Sequence, residues 1–437
     1  MSLIRLILLA ISLSVFSFIN LQSSVKQQKT FRPAKHLNIP KTETDATLIG
    51  FWRYGDGLGQ IVDIFAKMLK GMSLNWRTTR SIKPIIKDAD RYIASILTNP
   101  SKRPGKVAIF TDAIWLPTHD QYSNVPQESL IKLAYSMLEC SAIPQEWVHT
   151  LNKGFDGVIV PDPWLVKTYT ESGVTIPIFV LPLAVKLDEF LEKPPKTKKS
   201  PVFIFGNTSG SWVHKNQTLL IDAFAHAFGN SPHVKLVINS RGCDPKVCPL
   251  VYRAVQRWGL SNIEFNVRSL SREEYVNLIS SFDAYVSFSK GEGYALIPRE
   301  TLAAGIPTIL SDNTAHSTLC ASGFVKSVPA HLLEPAEYSF FKDENAFFSN
   351  CHLRDAINAL QDVYSNYTHY LEKAKGGREW VKQYSHTNAY LRKQYRNLVK
   401  PESVTLGTSN RITDKGIITT SVSLYKKYRS LLKSNQN

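Results

Sequence analysis

The sequence predicts an α/β protein of two Rossmann-like, doubly wound domains facing a cleft, with an N-terminal apolar segment ahead of them. Three observations carry this expectation. At 437 residues the chain exceeds the size at which a single core stops growing. Short apolar runs alternate with helical stretches, and the alternation starts twice. Between the two series lies "EKPPKTKKS", with prolines, lysines and no apolar period.

Residues 6–25 are 20 uncharged, mostly apolar residues, long enough to span a hydrocarbon core as a helix. Residues 1–25 therefore read as a signal-anchor or signal peptide, and 26–45 as a polar linker. Arg5 precedes the segment while Lys26, Lys29, Arg32 and Lys35 follow it. The positive-inside rule then keeps the bulk of the chain membrane-associated on the cytoplasmic side, with secretion after signal cleavage as the alternative.

"ATLIGFWRYGDGLGQIVDIFAKMLKG" reads as a strand, a glycine-rich turn and a helix with Ile61, Phe65, Met68 and Leu69 on one side. "KVAIFTD", "FDGVIVPD" and "IPIFVLPLAV" are further apolar runs of the buried parallel type. They make 46–190 the first domain and 191–200 the linker. "PVFIFGN", "VKLVINS", "NIEFNV", "DAYVSFS" and "PTILSD" are the strands of a second domain at 201–375, with helices "NQTLLIDAFAHAF" and "REEYVNLISSF" between them. "GGREWVKQYSHTNAYLRKQYRNLV" has helical spacing with Trp380, Tyr384, Tyr390 and Tyr395, so 376–400 is expected as one long helix packing back on the body. Residues 401–437 form a basic tail with a short basic helix near 424–432.

Net charge is +16, concentrated after the apolar segment, at 193–199 and in the tail. Such patches suit anionic membrane surfaces or anionic ligands. No zinc-finger spacing, basic zipper or interleaved aromatic RNA-reading motif appears, so nucleic acid is not expected as a partner. The five cysteines are odd in number and scattered, which fits a reducing compartment. Cys243 and Cys248 in "RGCDPKVC" read as ordinary thiols, with a local bridge or a metal pair as the alternative.

Ligands of doubly wound sheets bind beyond the carboxyl ends of the strands, so the loops leaving strands are the ones to inspect. In "SFSKGEGYALIPRETLAAGIPTILSD", Pro298 suits the first helical position, Gly305 stops the helix and Pro307 starts the next strand. The backbone N–H groups of Gly293, Tyr294 and Ala295 are then placed to meet a phosphate at a helix start. Glu292 and Glu300 are read as acceptors for neutral vicinal hydroxyls, such as sugars supply, because a carboxylate beside a bare phosphate is unfavourable. In "FGNTSGSWVHKNQTLLIDAF" a strand is expected to end at Gly206, and Lys215 before the next helix supplies a point charge for a diphosphate. In "YGDGLGQ", Gly55, Gly57 and Gly59 let the backbone approach a ligand closely, with Trp52, Arg53 and Asp56 around them as acceptor or phosphate contacts.

On these loops the chain resembles the group 1 (family 4-like) retaining glycosyltransferases of the GT-B fold. "EGYALIPRETLAAGIPTILSD" is similar to that family's carboxyl-terminal signature, and "ECSAIPQEWVHTLNKGFDGVIVPDPWLVKTYTESGVTIPIFVLPLAV" to the end of its first domain. The resemblance runs over roughly 46–400. It implies that the first domain takes the acceptor and the second the donor, a nucleotide sugar that is a substrate, with no cofactor. Glu300 would hold the ribose hydroxyls, Glu292 the hydroxyls of the donor sugar, and Lys215 with Gly293, Tyr294 and Ala295 the diphosphate. The implied acceptor is a glycan or lipid-linked hydroxyl.

The sequence also departs from the pattern. The family's loop arginine is missing from "GNTSGSWVHK", leaving His214 or nothing in its place, and Ala184 stands where a glycine is common. The first-domain histidine has His119 as its nearest counterpart, with Asp112 as an alternative contact. Metal use is not expected, because Asp88-Ala-Asp90 reads as a solvated helix face. A non-catalytic sugar-nucleotide or glycan binder and a sugar-nucleotide epimerase of the same fold are the rival readings.

Overall fold

The computed structural model describes residues 44–52, 59–79, 90–97, 104–112, 114, 125–338 and 342–400. All lie within one compact unit, His36–Asn437. The apolar segment 6–25 and the basic tail lie outside the described residues. Among the described residues no helix is long and apolar enough to cross a membrane.

The first layer system runs β1 (Ala46–Ile49), α1 (Gly59–Met68), β2 (Leu74–Arg77), α2 (Arg91–Leu97), β3 (Val107–Phe110), β4 (Ile131–Tyr135), α3 (Gln145–Gly154), β5 (Gly157–Val160), α4 (Trp164–Glu171), β6 (Ile178–Val180) and α5 (Asp188–Leu191). Its six strands are parallel in the order β2-β1-β3-β4-β5-β6. β1, β3 and β5 are buried along their whole length, as strands covered by helices on both faces must be.

The second system runs β7 (Phe203–Ser211), α6 (Gln217–Phe228), β8 (Val234–Cys243), α7 (Cys248–Trp258), β9 (Ile263–Val267), α8 (Arg272–Ser281), β10 (Ala284–Ser287), α9 (Leu296–Ala303), β11 (Thr308–Asp312), α10 (Thr314–Cys320) and β12 (Lys326–Pro329). The order is β12-β11-β10-β7-β8-β9, again parallel. An antiparallel hairpin, β13 (Leu332–Glu337) with β14 (Lys342–Asn350), follows. The chain closes with α11 (Leu353–Ser365), α12 (Tyr367–Trp380) and α13 (Ala389–Val399).

The expected long terminal helix is interrupted. Val185 donates to the carbonyl of Tyr384 at 2.8 Å and accepts from His386 at 2.9 Å, so the backbone there pairs with the end of the first domain instead of continuing the helix. Asn388 then caps α13 through Leu391 N–H at 2.9 Å. α13 crosses to the first domain, where Tyr395 donates to Pro182 O at 3.0 Å and packs edge-on against Phe65.

Cys243 and Cys248 are bridged, which corrects the reading of both as free thiols. The end of β8 and the start of α7 bring their Cα atoms to 5.4 Å, within the range a disulfide requires. Cys140, Cys320 and Cys351 form no disulfide among the described residues. Asp90 is a capping residue rather than part of a solvated helix face: it precedes α2, accepts from Ile93 N–H at 2.9 Å and lies 3.2 Å from Lys67.

Candidate active site

In the second sheet the chain runs outward through β7, β8 and β9, then returns to the other side of β7 with β10. The loops after β7 and β10 therefore flank the switch point where such sheets bind ligands. Lys215 comes from the first loop and Glu292 from the second, and their side chains meet at 2.6 Å. Asn216, in a left-handed turn at φ 54°, ties the loops together by donating to Phe288 O at 3.1 Å and Asn350 Oδ1 at 2.8 Å. Burial pushes the Glu292 carboxyl up, but Lys215 with His316 and His214 outweighs it and brings the group down to about 2. Glu292 is therefore ionised and faces a cation.

The turn that follows is set up for an anion. Glu292 N–H donates to Thr314 Oγ1 at 2.8 Å, whereas among the described residues the amides of Gly293, Tyr294 and Ala295 donate to no partner. Ala295 holds φ 60° and ψ 64°, a left-handed conformation that costs a non-glycine residue about 1–2 kcal/mol. Strain of this kind tends to collect at ligand clamps. α9 starts at Leu296, two residues earlier than expected, with Pro298 in its first turn. The position is tolerated because amides of the first turn have no intrahelical acceptor to lose. Gly305, at φ 71°, ends the helix as expected.

Glu300 sits one helical turn into α9 and is largely buried. Tyr275 donates its hydroxyl to Oε2, and Arg272 donates to Oε1 at 3.0 Å. Arg272 also pairs with Glu189, donates to Lys186 O at 3.1 Å and lies over the Phe190 ring at 5.0 Å. Burial raises the Glu300 carboxyl, with Arg272 and Tyr275 pulling against it. Beside Glu300, Arg299 reaches Asp162 of the first domain at 3.3 Å, with both side chains fully buried.

The first domain comes equally close at the turn itself. A Cβ on Gly291 would overlap the backbone carbonyl oxygen of Glu139, in the loop after β4, and one on Gly293 would lie 3.0 Å from the Met137 side chain. Gly291 is required by the approach of another backbone, whereas at Gly293 the close neighbour is a side chain.

Several expectations change. Gly206 is not at a loop: β7 continues to Ser211, and Gly206 lies inside it because a Cβ there would strike the Phe282 ring. His214 does not replace the missing arginine as a cation. Burial and the neighbouring Lys215 push its imidazole down to about 3, and it packs beside Tyr338 and Phe348. Asp112 lies just past β3, at the carboxyl edge of the first sheet, where it accepts from Thr79. Gly59 begins α1 and is buried. Arg53, Asp56, Gly57 and His119 lie outside the described residues. Arg272, Tyr275, Asp162 and Glu139 were not anticipated as site residues, although Glu139 and Asp162 lie in the stretch resembling the end of the family's first domain and Arg272 and Tyr275 in the helix read from "REEYVNLISSF".

His214 and His316 make the site pH-sensitive. Burial lowers His316 to about 4. The unfolded chain takes up protons near pH 6.5 that the folded chain refuses, so stability is full above that pH and falls as pH drops towards 4. At pH 5 the loss is about 2 kcal/mol per histidine. Thermal unfolding measured from pH 7.5 to 5 should show it, and His316→Asn should remove about half of the slope.

Two parallel six-stranded sheets, with the Lys215–Glu292 pair and the turn of Gly293 to Ala295 at the switch point of the second, have the architecture of the GT-B fold. A model of the family described as family 4 glycosyltransferase in conflict systems matches residues 166–389, half of the chain, and the chain belongs to that family. Among solved structures, TarM is 18% identical over 67% of this chain, with a TM-score of 0.50. This chain spans about half of TarM, 54% of its length. HepE of Anabaena, solved with UDP and glucose, is 12% identical over 80% of this chain and 98% of its own, with a TM-score of 0.57. WaaG, a glycosyltransferase involved in lipopolysaccharide biosynthesis, is 12% identical over 82% of this chain and 100% of its own, with a TM-score of 0.56. No curated protein matches the chain.

Proposed function

We propose that this glycosyltransferase moves a sugar from a nucleoside diphosphate donor to a hydroxyl of a glycan or lipid-linked acceptor, with retained anomeric configuration and without a metal. The observation that carries the reading is the Lys215–Glu292 pair set against the amides of Gly293, Tyr294 and Ala295, which have no acceptor among the described residues. The amides and the Lys215 ammonium take the charge that accumulates on the departing diphosphate, and fixed dipoles do this without reorganisation during the reaction. Glu292 accepts hydroxyls of the sugar, and Glu300, given up by Arg272 and Tyr275 in part, those of the ribose. HepE, which shares the fold, was solved with UDP and glucose, which supports a nucleotide sugar as donor, and WaaG is involved in lipopolysaccharide biosynthesis, which supports a glycan acceptor.

Incubating the protein with UDP-, GDP- and ADP-sugars and an acceptor extract should release nucleoside diphosphate, undiminished by EDTA. Glu300→Ala should raise the donor KM about tenfold or more, because a buried polar site left without its partner loses the full interaction. Silence across all three donor classes would count against transfer. A second reading, a sugar-nucleotide binder without turnover, is favoured by the neutral His214 in the loop that lacks an arginine. Calorimetry showing tight nucleotide binding with no diphosphate release would select it.

A further inference from the structure

We propose that Glu139, in the loop after β4, is the first domain's contact to the transferred sugar, its carboxylate accepting sugar hydroxyls from the side opposite Glu292. The inference rests on the donor reading above and goes beyond it in assigning a residue of the other domain to the sugar.

The placement is built. Gly291 abuts the Glu139 backbone so closely that no side chain fits between them. The Glu139 carboxylate accepts from the Tyr338 hydroxyl at 3.0 Å. The next loop residue but one, Ser141, exchanges two hydrogen bonds with Phe347, at 3.0 and 2.9 Å. The hairpin that supplies Tyr338 and Phe347 also holds the loop of Glu292, through Ser349 N–H to Lys290 O at 3.0 Å. One hairpin therefore sets the positions of both acids, one from each domain.

The electrostatics ask for a ligand. Burial raises Glu139; Lys215 lowers it and Glu292 raises it, so all three groups share one field. Two buried carboxylates in one field, one paired with Lys215 and the other bonded to Tyr338, are costly unless further hydrogen-bond donors satisfy them. If packing against Gly291 were the sole task, an apolar side chain would do it without that cost. Sugar hydroxyls would add donors to the ones that Tyr338 and Lys215 already give, and the sugar then joins the two domains.

The test is titration calorimetry on the full chain with UDP, GDP, ADP, UDP-glucose, GDP-mannose and ADP-glucose, for wild type, Glu139→Ala and Glu139→Gln. The expected result is that Glu139→Ala binds the preferred diphosphate within about twofold of wild type but the matching nucleotide sugar about tenfold more weakly, the scale of one charged hydrogen bond. Glu139→Gln, nearly isosteric and retaining one acceptor oxygen, should lose less of the sugar increment. Equal weakening of both ligands would mean that Glu139 only props the Gly291 turn, and unchanged affinities would make it a bystander; either overturns the proposal. If wild type binds none of the six, the donor reading itself fails, visibly and before any variant is made.

Discussion

Asp162→Ala is expected to destabilise the protein by about 3–5 kcal/mol, because it leaves a fully buried guanidinium without its counter-charge. Arg299 is inaccessible to solvent and lies 3.8 Å from the Tyr294 ring centre and 4.7 Å from that of Tyr384. It donates to Ala295 O at 3.1 Å and meets Asp162 at 3.3 Å, and its Nε finds no partner among the described residues. Asp162 also accepts from Thr318 at 2.7 Å, so one carboxylate joins the start of α4 to both α9 and α10. Burial raises this carboxyl while Arg299 and Thr318 pull it back. Denaturant unfolding would measure the loss. The double variant Asp162→Ala with Arg299→Met should be less destabilised than Asp162→Ala alone, since removing both charges also removes the uncompensated one. If the two effects simply add, the pair is not the linkage described.

Lys215→Ala is expected to reduce turnover by about 10²–10³-fold, the scale of removing one preorganised charge-stabilising group. The same change acts on Glu292. With Lys215 present the carboxyl titrates at about 2, well below its unfolded value, so its contribution to stability is present above pH 4.5 and lost as pH falls through about 2. Without Lys215 the largest influence opposing burial is gone, so the carboxyl rises and the acid limb of the pH–activity profile should move upward. Lys215→Arg keeps the charge and should retain the acid limb even where it loses rate. An unchanged acid limb in Lys215→Ala would mean that Glu292 is held ionised by something other than the lysine.

Much of the second domain was legible locally. "PVFIF", "VKLVINS" and "PTILSD" are continuous apolar runs between glycines, prolines and asparagines, and they become β7, β8 and β11. β4 was passed over because Lys132 interrupts "IKLAY", although its side chain is buried within the strand. The β13–β14 hairpin was missed because β13 carries Pro335 and two glutamates and buries only Ala336, and its purpose lies in contacts made more than a hundred residues away. Gly206 looked like a loop glycine because a sequence does not show which ring will lie over a strand.

The sequence by itself determined that two apolar, alternating β/α series are joined by a polar link, and that Lys215, Glu292 and Glu300 stand just beyond strands of the second. Periodicity, turn residues and spacing are local properties, and they survive without knowledge of what packs against them. Only the tertiary structure decided that Glu139 and Asp162 of the first domain meet Gly291 and Arg299, that Arg272 and Tyr275 occupy Glu300, and that His214 is too deeply buried to carry charge. Those facts depend on desolvation and on close approach between distant segments, which are properties of the folded packing and not of any stretch of chain.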